Sequence, residues 1–200
     1  MDALQLLDAR VAAVVRELEE RDARERAQHL PPERRARSLH PESARFLHLL
    51  ILAGRYRRLL EIGGGIGYAT LWLAEAAHRN GGTLVSCEIE PARAEANRTH
   101  IRRAGLHGVV SYLVGDARQT VAELAGPFDF VLIDTNKADY ITYFELLIPK
   151  MLPNGIIVAD NVISHASALQ GYLERVKSHP LYESITVPIG KGLEISRRVR

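Results

Sequence analysis

Two short stretches carry oxygen ligands to the end of an apolar run. "FDFVLIDTNK" stops at Asp134, with Lys137 three residues beyond, and "GIIVADNVI" sets Asp160 and Asn161 just after Ile156, Ile157 and Val158. β-Branched runs of this kind suit strands buried on both faces, and in a doubly wound sheet ligands gather at the carboxyl ends of such strands. An unpaired carboxylate at the edge of a core is costly or holds a proton. If the two strands are neighbours, Asp134, Asp160 and Asn161 converge, and the two carboxylates repel unless a cation lies between them. Carboxylate and amide oxygens are hard ligands, suited to Mg²⁺, Mn²⁺ or Ca²⁺. Helix capping is the other role open to Asp160-Asn161, since Asx residues fill both. A cation beside an amine disfavours its charged form, so Lys137 is a candidate base for a hydroxyl proton.

A second chemical signal lies in "LLEIGGGIGYAT". Gly63, Gly65 and Gly67 alternate, which lets the backbone turn tightly and approach a ligand, and the following helix offers free N–H groups to a negative group. A dinucleotide fingerprint requires G-x-G-x-x-G, and Tyr68 stands where its last glycine belongs. Glu88, in "CEIEP", follows at about 20 residues, the distance at which an acid reaches ribose hydroxyls in such folds. A ribose-bearing ligand without a pyrophosphate is the expectation.

The elements that must position these groups follow from apolar periodicity. Leu4, Leu7, Val11, Val14 and Leu18 form a stripe that predicts one amphipathic helix through about Glu25. That stripe would pack on its own domain or form a contact in a homodimer. "LPPERRARS" breaks the helix, because Pro31-Pro32 cannot sit inside one, and its arginines form a solvated loop or an anion patch. "HPESARFLHLLILAG" predicts a second helix with Gly54 as C-cap. From Arg58 strands and helices alternate: "RLLEIG", "GTLVSCEI", "VVSYLVG", "FDFVLID" and "GIIVAD" are strands, each followed by a helical pattern. "YESITVPIGKGLEISRR" closes the chain as a hairpin. The expected fold is α/β: a single doubly wound, mostly parallel seven-stranded sheet with helices on both faces and a terminal β-hairpin. One domain spans 1–200, with N-terminal helices over 1–57 and the core over 58–200.

Composition sets bounds. The 200 residues carry a net charge of +2, too mild to argue for nucleic acid by itself. Cys87 is the only cysteine, so no internal disulfide forms, and it reads as a small core residue. No apolar stretch approaches the ~20 residues that span a bilayer. "MDALQLLDAR" lacks the n- and h-regions of a signal peptide, so a cytoplasmic protein without membrane partners is expected. The histidines show no ligand-like pairing.

"EIGGGIG", the acid in "CEIEP", "VGDA", "FDFVLIDTNKADY" and "DNV" together resemble class I S-adenosylmethionine-dependent methyltransferases with a Rossmann-like fold. More narrowly, they resemble the metal-dependent O-methyltransferases that include the catechol and caffeoyl-CoA enzymes. The likeness runs from about Arg37 to "VPIGKGLEISRR". It implies that the methionine end of the cofactor S-adenosylmethionine lies at Gly63, Gly65 and Gly67, with Glu61 beneath. It implies ribose on Glu88, adenine beside Asp116 and Ala117, and a divalent cation, Mg²⁺ foremost, on Asp134, Asp160 and Asn161. Asp134 also borders the cofactor, and Lys137 and Asp134 are the catalytic pair, with Lys137 taking the acceptor's proton. The acceptor implied is a small hydroxylated aromatic, a catechol or a similar vicinal diol. The chain departs from the family at Ala69, where a small hydroxyl residue is common, which leaves the cofactor carboxylate to Thr70 or backbone. Arg37 and Ala44 also replace a common methionine and glycine. Within the family a tRNA hydroxyuridine acceptor is the rival, suggested by Arg34 to Arg37. Outside it the rivals are a nicotinamide-dependent oxidoreductase, disfavoured by Tyr68, and a non-catalytic cofactor-binding module.

Overall fold

A computed structural model describes residues 3–31, 35, 36 and 39–200. Two helices, α1 (Ala9–Ala27) and α2 (Pro41–Gly54), precede the first strand, β1 (Arg58–Ile62). Then come α3 (Tyr68–Arg79), β2 (Thr83–Glu88), α4 (Pro91–Arg103), β3 (Val110–Val114) and α5 (Ala117–Glu123). The rest is β4 (Phe128–Ile133), α6 (Tyr140–Leu147), β5 (Met151–Asp160), α7 (Ala166–Lys177), β6 (Tyr182–Val187) and β7 (Leu193–Arg198).

Alternation along the central strands sets the layers. Leu59, Phe130, Leu132, Ile156 and Val158 point to one side of the sheet, where α1 to α4 cover them. Leu60, Ile62, Val131, Ile133, Ile157 and Ala159 point to the other, under α5, α6 and α7. Burial of each such large aliphatic side chain contributes about 1.5–3 kcal/mol, so both faces hold the sheet. The strand order is β3-β2-β1-β4-β5-β7-β6. β1 to β5 run parallel, while β7 is antiparallel to both β5 and β6. The order reverses between β1 and β4, and the crevice at their carboxyl ends is where such sheets take ligands.

The N-terminal stripe is divided. Leu4 lies in a 3-10 turn (Ala3–Leu6), and Asp8 caps α1 by accepting from the Arg10 N–H at 2.9 Å. The single helix expected from the start of the chain therefore begins only at Ala9, because an Asp side chain that satisfies a free N–H fixes a start. Leu4, Leu7, Val11, Val14 and Leu18 are all buried in this chain's own core, where α1 meets α3 and α4. The stripe thus offers no surface to a second copy.

Three boundaries differ from expectation. Gly54 is still helical, and Arg55 takes the left-handed turn after α2 (φ 53°). The helix expected over "ADYITYFELLIPKM" is shortened to α6, flanked by 3-10 turns, since Pro149 cannot continue it. β5 starts at Met151 rather than Gly155, with a register irregularity opposite Phe128 and Phe130. The turn "IGKG" joins β6 to β7 as expected.

Candidate active site

The glycine loop begins where β1 ends. Its Gly63 and Gly64 N–H groups donate to the Cys87 carbonyl at 2.9 and 3.0 Å, and Asp134 N–H donates to the Ile62 carbonyl at 3.0 Å. Gly63 has φ 102°, and a Cβ there would lie 2.1 Å from the Asp134 carbonyl oxygen. Only glycine lets β4 end this close to the loop.

Under the loop, Glu61 is fully buried. One of its oxygens accepts from Thr70 Oγ1 at 2.7 Å and Ser86 Oγ at 2.6 Å, and the other has no hydrogen-bond partner. Burial pushes this carboxyl up to about 7, against the pull of those two hydroxyls. Asn97 extends the network, donating to Thr70 Oγ1 at 2.8 Å and to the Gly64 carbonyl at 3.2 Å, while Tyr112 donates to Asn97 at 3.0 Å. The floor of the loop is thereby held by β1, β2, β3, α3 and α4 together.

Glu88, at the end of β2, stands against the loop's outer turn. One carboxylate oxygen accepts from Gly65 N–H at 2.7 Å and the other from Glu90 N–H at 2.9 Å. Asp116 caps α5 through the Arg118 N–H at 2.9 Å, and the Arg118 guanidinium grips both its oxygens. Those bonds hold the Asp116 carboxyl below the usual carboxylate range. Ala117 begins α5 and is buried on the β-sheet side.

The oxygen cluster forms as the strand order requires. Ile133 pairs with Ala159, so Asp134 and Asp160 follow at adjacent strand ends. Asp160 is 1% exposed, and its Oδ1 finds no hydrogen-bond partner among the described residues. Burial, followed by the Asp134 charge, pushes its carboxyl up, with the Asn161 N–H foremost, then Lys137 and Lys191, acting the other way. Asn161 takes the left-handed conformation (φ 70°), which Asn tolerates better than most residues, and this turns the chain sharply after Asp160. No cluster of three His, Cys, Asp or Glu exists among the described residues, so a cation here depends on Asn161 as well as the acids. An orphaned, buried carboxylate oxygen beside a second carboxylate and an amide is a donor set that fits a hard divalent ion. Helix capping by Asp160-Asn161 is not what the structure shows: α7 starts at Ala166, with His165 at the cap position.

Lys137 enters the same corner from the loop after β4. Its Nζ donates to Tyr140 Oη and the Thr135 carbonyl, both at 2.9 Å, and lies 3.3 Å from Asp134 Oδ1. Tyr140 is completely buried and donates in turn to the Asp160 carbonyl at 3.3 Å. Tyr140 therefore ties the lysine to β5, whereas Tyr143 is buried in the core beneath.

A sequence model of a family described as O-methyltransferase matches residues 12–199. The chain belongs to that family. It is 38% identical over 136 residues to a catechol O-methyltransferase of Niastella koreensis, covering 66% of this chain and 61% of that one. With a catechol O-methyltransferase of Mycobacterium tuberculosis it shares 41% identity over 123 residues, covering 61% of this chain and 56% of the relative. The matched part thus spans about three-fifths of these two relatives. A solved O-methyltransferase from Bacillus cereus, in complex with SAH, superposes with TM-score 0.80 at 26% identity, covering 93% of this chain and 90% of that one.

In this O-methyltransferase family member Thr70 cannot anchor a cofactor carboxylate. It is fully buried, and its hydroxyl donates downwards to Glu61. Ala69, by contrast, lines the cleft, together with Ala36, Leu39, Ile66, Tyr68, the loop glycines and Asp134. Sequence reading missed Ala36 and Leu39: Ala36 is brought in by its N–H, which donates to the buried Glu25 carboxylate at 2.6 Å. Arg35 donates to the Leu30 carbonyl at 2.5 Å, while Arg34 and Arg37 lie outside the described residues. Cys87 is buried in the core, its thiol pushed up to about 12 by burial. No helix among the described residues is long and apolar enough to cross a membrane.

Proposed function

We propose that this chain transfers the methyl group of S-adenosylmethionine to a hydroxyl oxygen of a catechol-like acceptor, with a divalent cation, Mg²⁺ foremost, held by Asp134, Asp160 and Asn161. The observation that carries this reading is the partnerless Asp160 Oδ1, buried beside Asp134 at the mouth of the glycine-loop cleft. Membership of the O-methyltransferase family and the relatives' names support the reaction class. When bound, the cation supplies positive charge that favours the ionised form of an acceptor hydroxyl.

The chain's own residues do the rest. Backbone at Gly63, Gly65 and Gly67 receives the methionine end of the donor, Glu88 receives the ribose hydroxyls, and Asp116 with Ala117 borders the adenine. Lys137 Nζ takes the acceptor's hydroxyl proton, and the ammonium is held by Asp134, the Thr135 carbonyl and Tyr140 Oη. The oxygen attacks the methyl carbon, and the donor sulfur leaves with the bonding pair as a neutral thioether. No acid is needed for that leaving group, so positioning supplies much of the acceleration.

A tRNA acceptor has no observation in its favour among the described residues. A nicotinamide dehydrogenase is disfavoured by Tyr68, whose side chain fills the last-glycine position and donates to Glu19 at 2.7 Å. Incubation with S-adenosylmethionine, Mg²⁺ and catechol, read by mass spectrometry, tests the proposal. Monomethylated catechol is the expected product, and none from enzyme that binds the donor would refute it.

A further inference from the structure

Leu39 lines the glycine-loop cleft and also a second cavity of about 300 Å³, bounded among the described residues by Asp22, Arg26, Leu39, His40, Pro41 and Lys191. Three parts of the chain meet there: the end of α1, the start of α2 and the turn between β6 and β7. The turn is pressed onto α2, since a Cβ on Gly190 would lie 2.4 Å from Ser43 Oγ. It is also fastened to the segment after Asn161, because the Lys191 carbonyl accepts from the Ile163 and Ser164 N–H groups at 3.1 and 3.0 Å. Lys191 therefore stands at the rim of the oxygen cluster, near enough for its charge to act on Asp160.

The cavity's charges do not cancel. Arg26 Nε and Asp22 Oδ2 pair at 2.7 Å, and His40 Nδ1 accepts from Glu42 N–H at 3.3 Å. Lys191 forms no close ion pair with any described residue; its charge reaches Asp160 only at longer range, and its ammonium borders a space walled by Leu39 and Pro41. A cavity of ~150 Å³ suffices for benzene, so this one admits a ring with a substituent. The apolar walls suit the ring and the ammonium suits an anion.

We infer that Lys191 is a specificity-determining residue that favours acceptors whose dihydroxylated ring carries a carboxylate. The inference rests on the O-methyltransferase reading of the neighbouring site. A half-buried ion pair of this kind is worth about fivefold in selectivity.

The test compares kcat/KM for 3,4-dihydroxybenzoate, catechol and 2-(3,4-dihydroxyphenyl)ethylamine at saturating S-adenosylmethionine and Mg²⁺. Wild type should prefer the acid to catechol about fivefold or more. Lys191→Met should erase that preference through KM, Lys191→Arg should keep it, and Lys191→Glu should shift it toward the amine. The ratio of acceptors cancels any general effect of the substitution on Asp160 or on folding. Equal acid-to-catechol ratios in wild type and Lys191→Met would overturn the inference while methyl transfer itself stands. No turnover of any of the three by donor-bound enzyme would overturn the underlying reading, and the inference with it.

Discussion

Asp134 and Asp160 leave neighbouring parallel strands side by side, each one residue beyond the registered pair Ile133 and Ala159. Burial, and after it the charge of Asp134, raises the Asp160 carboxyl, and Tyr140 links that strand end to Lys137. The two carboxylates, Lys137 and the glycine loop thus share one corner of the sheet.

The proposed role of Lys137 is to take a proton, not to hold the donor. Lys137→Met should lower kcat by about 10²- to 10⁴-fold, the usual worth of a positioned base. Donor affinity, measured by calorimetry, should change little, because Lys137 touches Asp134, the Thr135 carbonyl and Tyr140 rather than the glycine loop. A variant that turns over at the wild-type rate would remove the lysine from the reaction.

Glu88 braces the loop through the Gly65 N–H, and the proposed ribose contact can be separated from that task. Glu88→Ala should weaken S-adenosylmethionine binding by at least about 1.5 kcal/mol, the scale of a charge-assisted hydrogen bond. Glu88→Gln keeps an oxygen for the Gly65 N–H while losing the charge, so its loss should be smaller. Unchanged affinity in both variants, by calorimetry, would dismiss the ribose assignment.

How much of this was legible in sequence depended on local punctuation. α3 was expected over "YATLWLAEAAHR" and forms over Tyr68–Arg79, because glycines before it and Asn80-Gly81 after it fix both ends. The order of acid-terminated strands was legible from apolar runs, and the topology then brought Asp134 to Asp160. The start of β5 was not legible, since Pro153, Asn154 and Gly155 read as a break although the strand continues through an irregular register. The choice between Thr70 and backbone as anchor was left open, because it depends on which face of α3 meets Glu61, a tertiary fact. Lys191 and Leu39 escaped notice for a related reason: each lies far along the chain from the oxygen cluster and reaches the site only through folding.

Stability should carry a pH signature. Burial raises the Glu61 carboxyl from 4.5 to about 7 in the folded chain. Between those values the folded state holds a proton that the unfolded state has released, so stability falls as pH rises through this window. The loss is on the order of 3 kcal/mol for Glu61 alone. Asp160 acts in the same sense when no divalent cation is present. Thermal melts in chelator should therefore show Tm falling from pH 5 to 7.5, and Glu61→Gln should flatten the slope. An equal slope in the variant would contradict the assignment.

The proposed divalent site at Asp134, Asp160 and Asn161 is tested most directly by transfer of labelled methyl from S-adenosylmethionine to catechol, assayed with and without chelator. Wild-type turnover should vanish in excess EDTA and return with Mg²⁺ or Mn²⁺. Asp160→Ala should stay inactive under both conditions while binding the donor normally, and Asp160→Asn, which keeps an oxygen but not the charge, should fall between. Full turnover in excess chelator, or an Asp160→Ala enzyme as fast as wild type, would contradict the account.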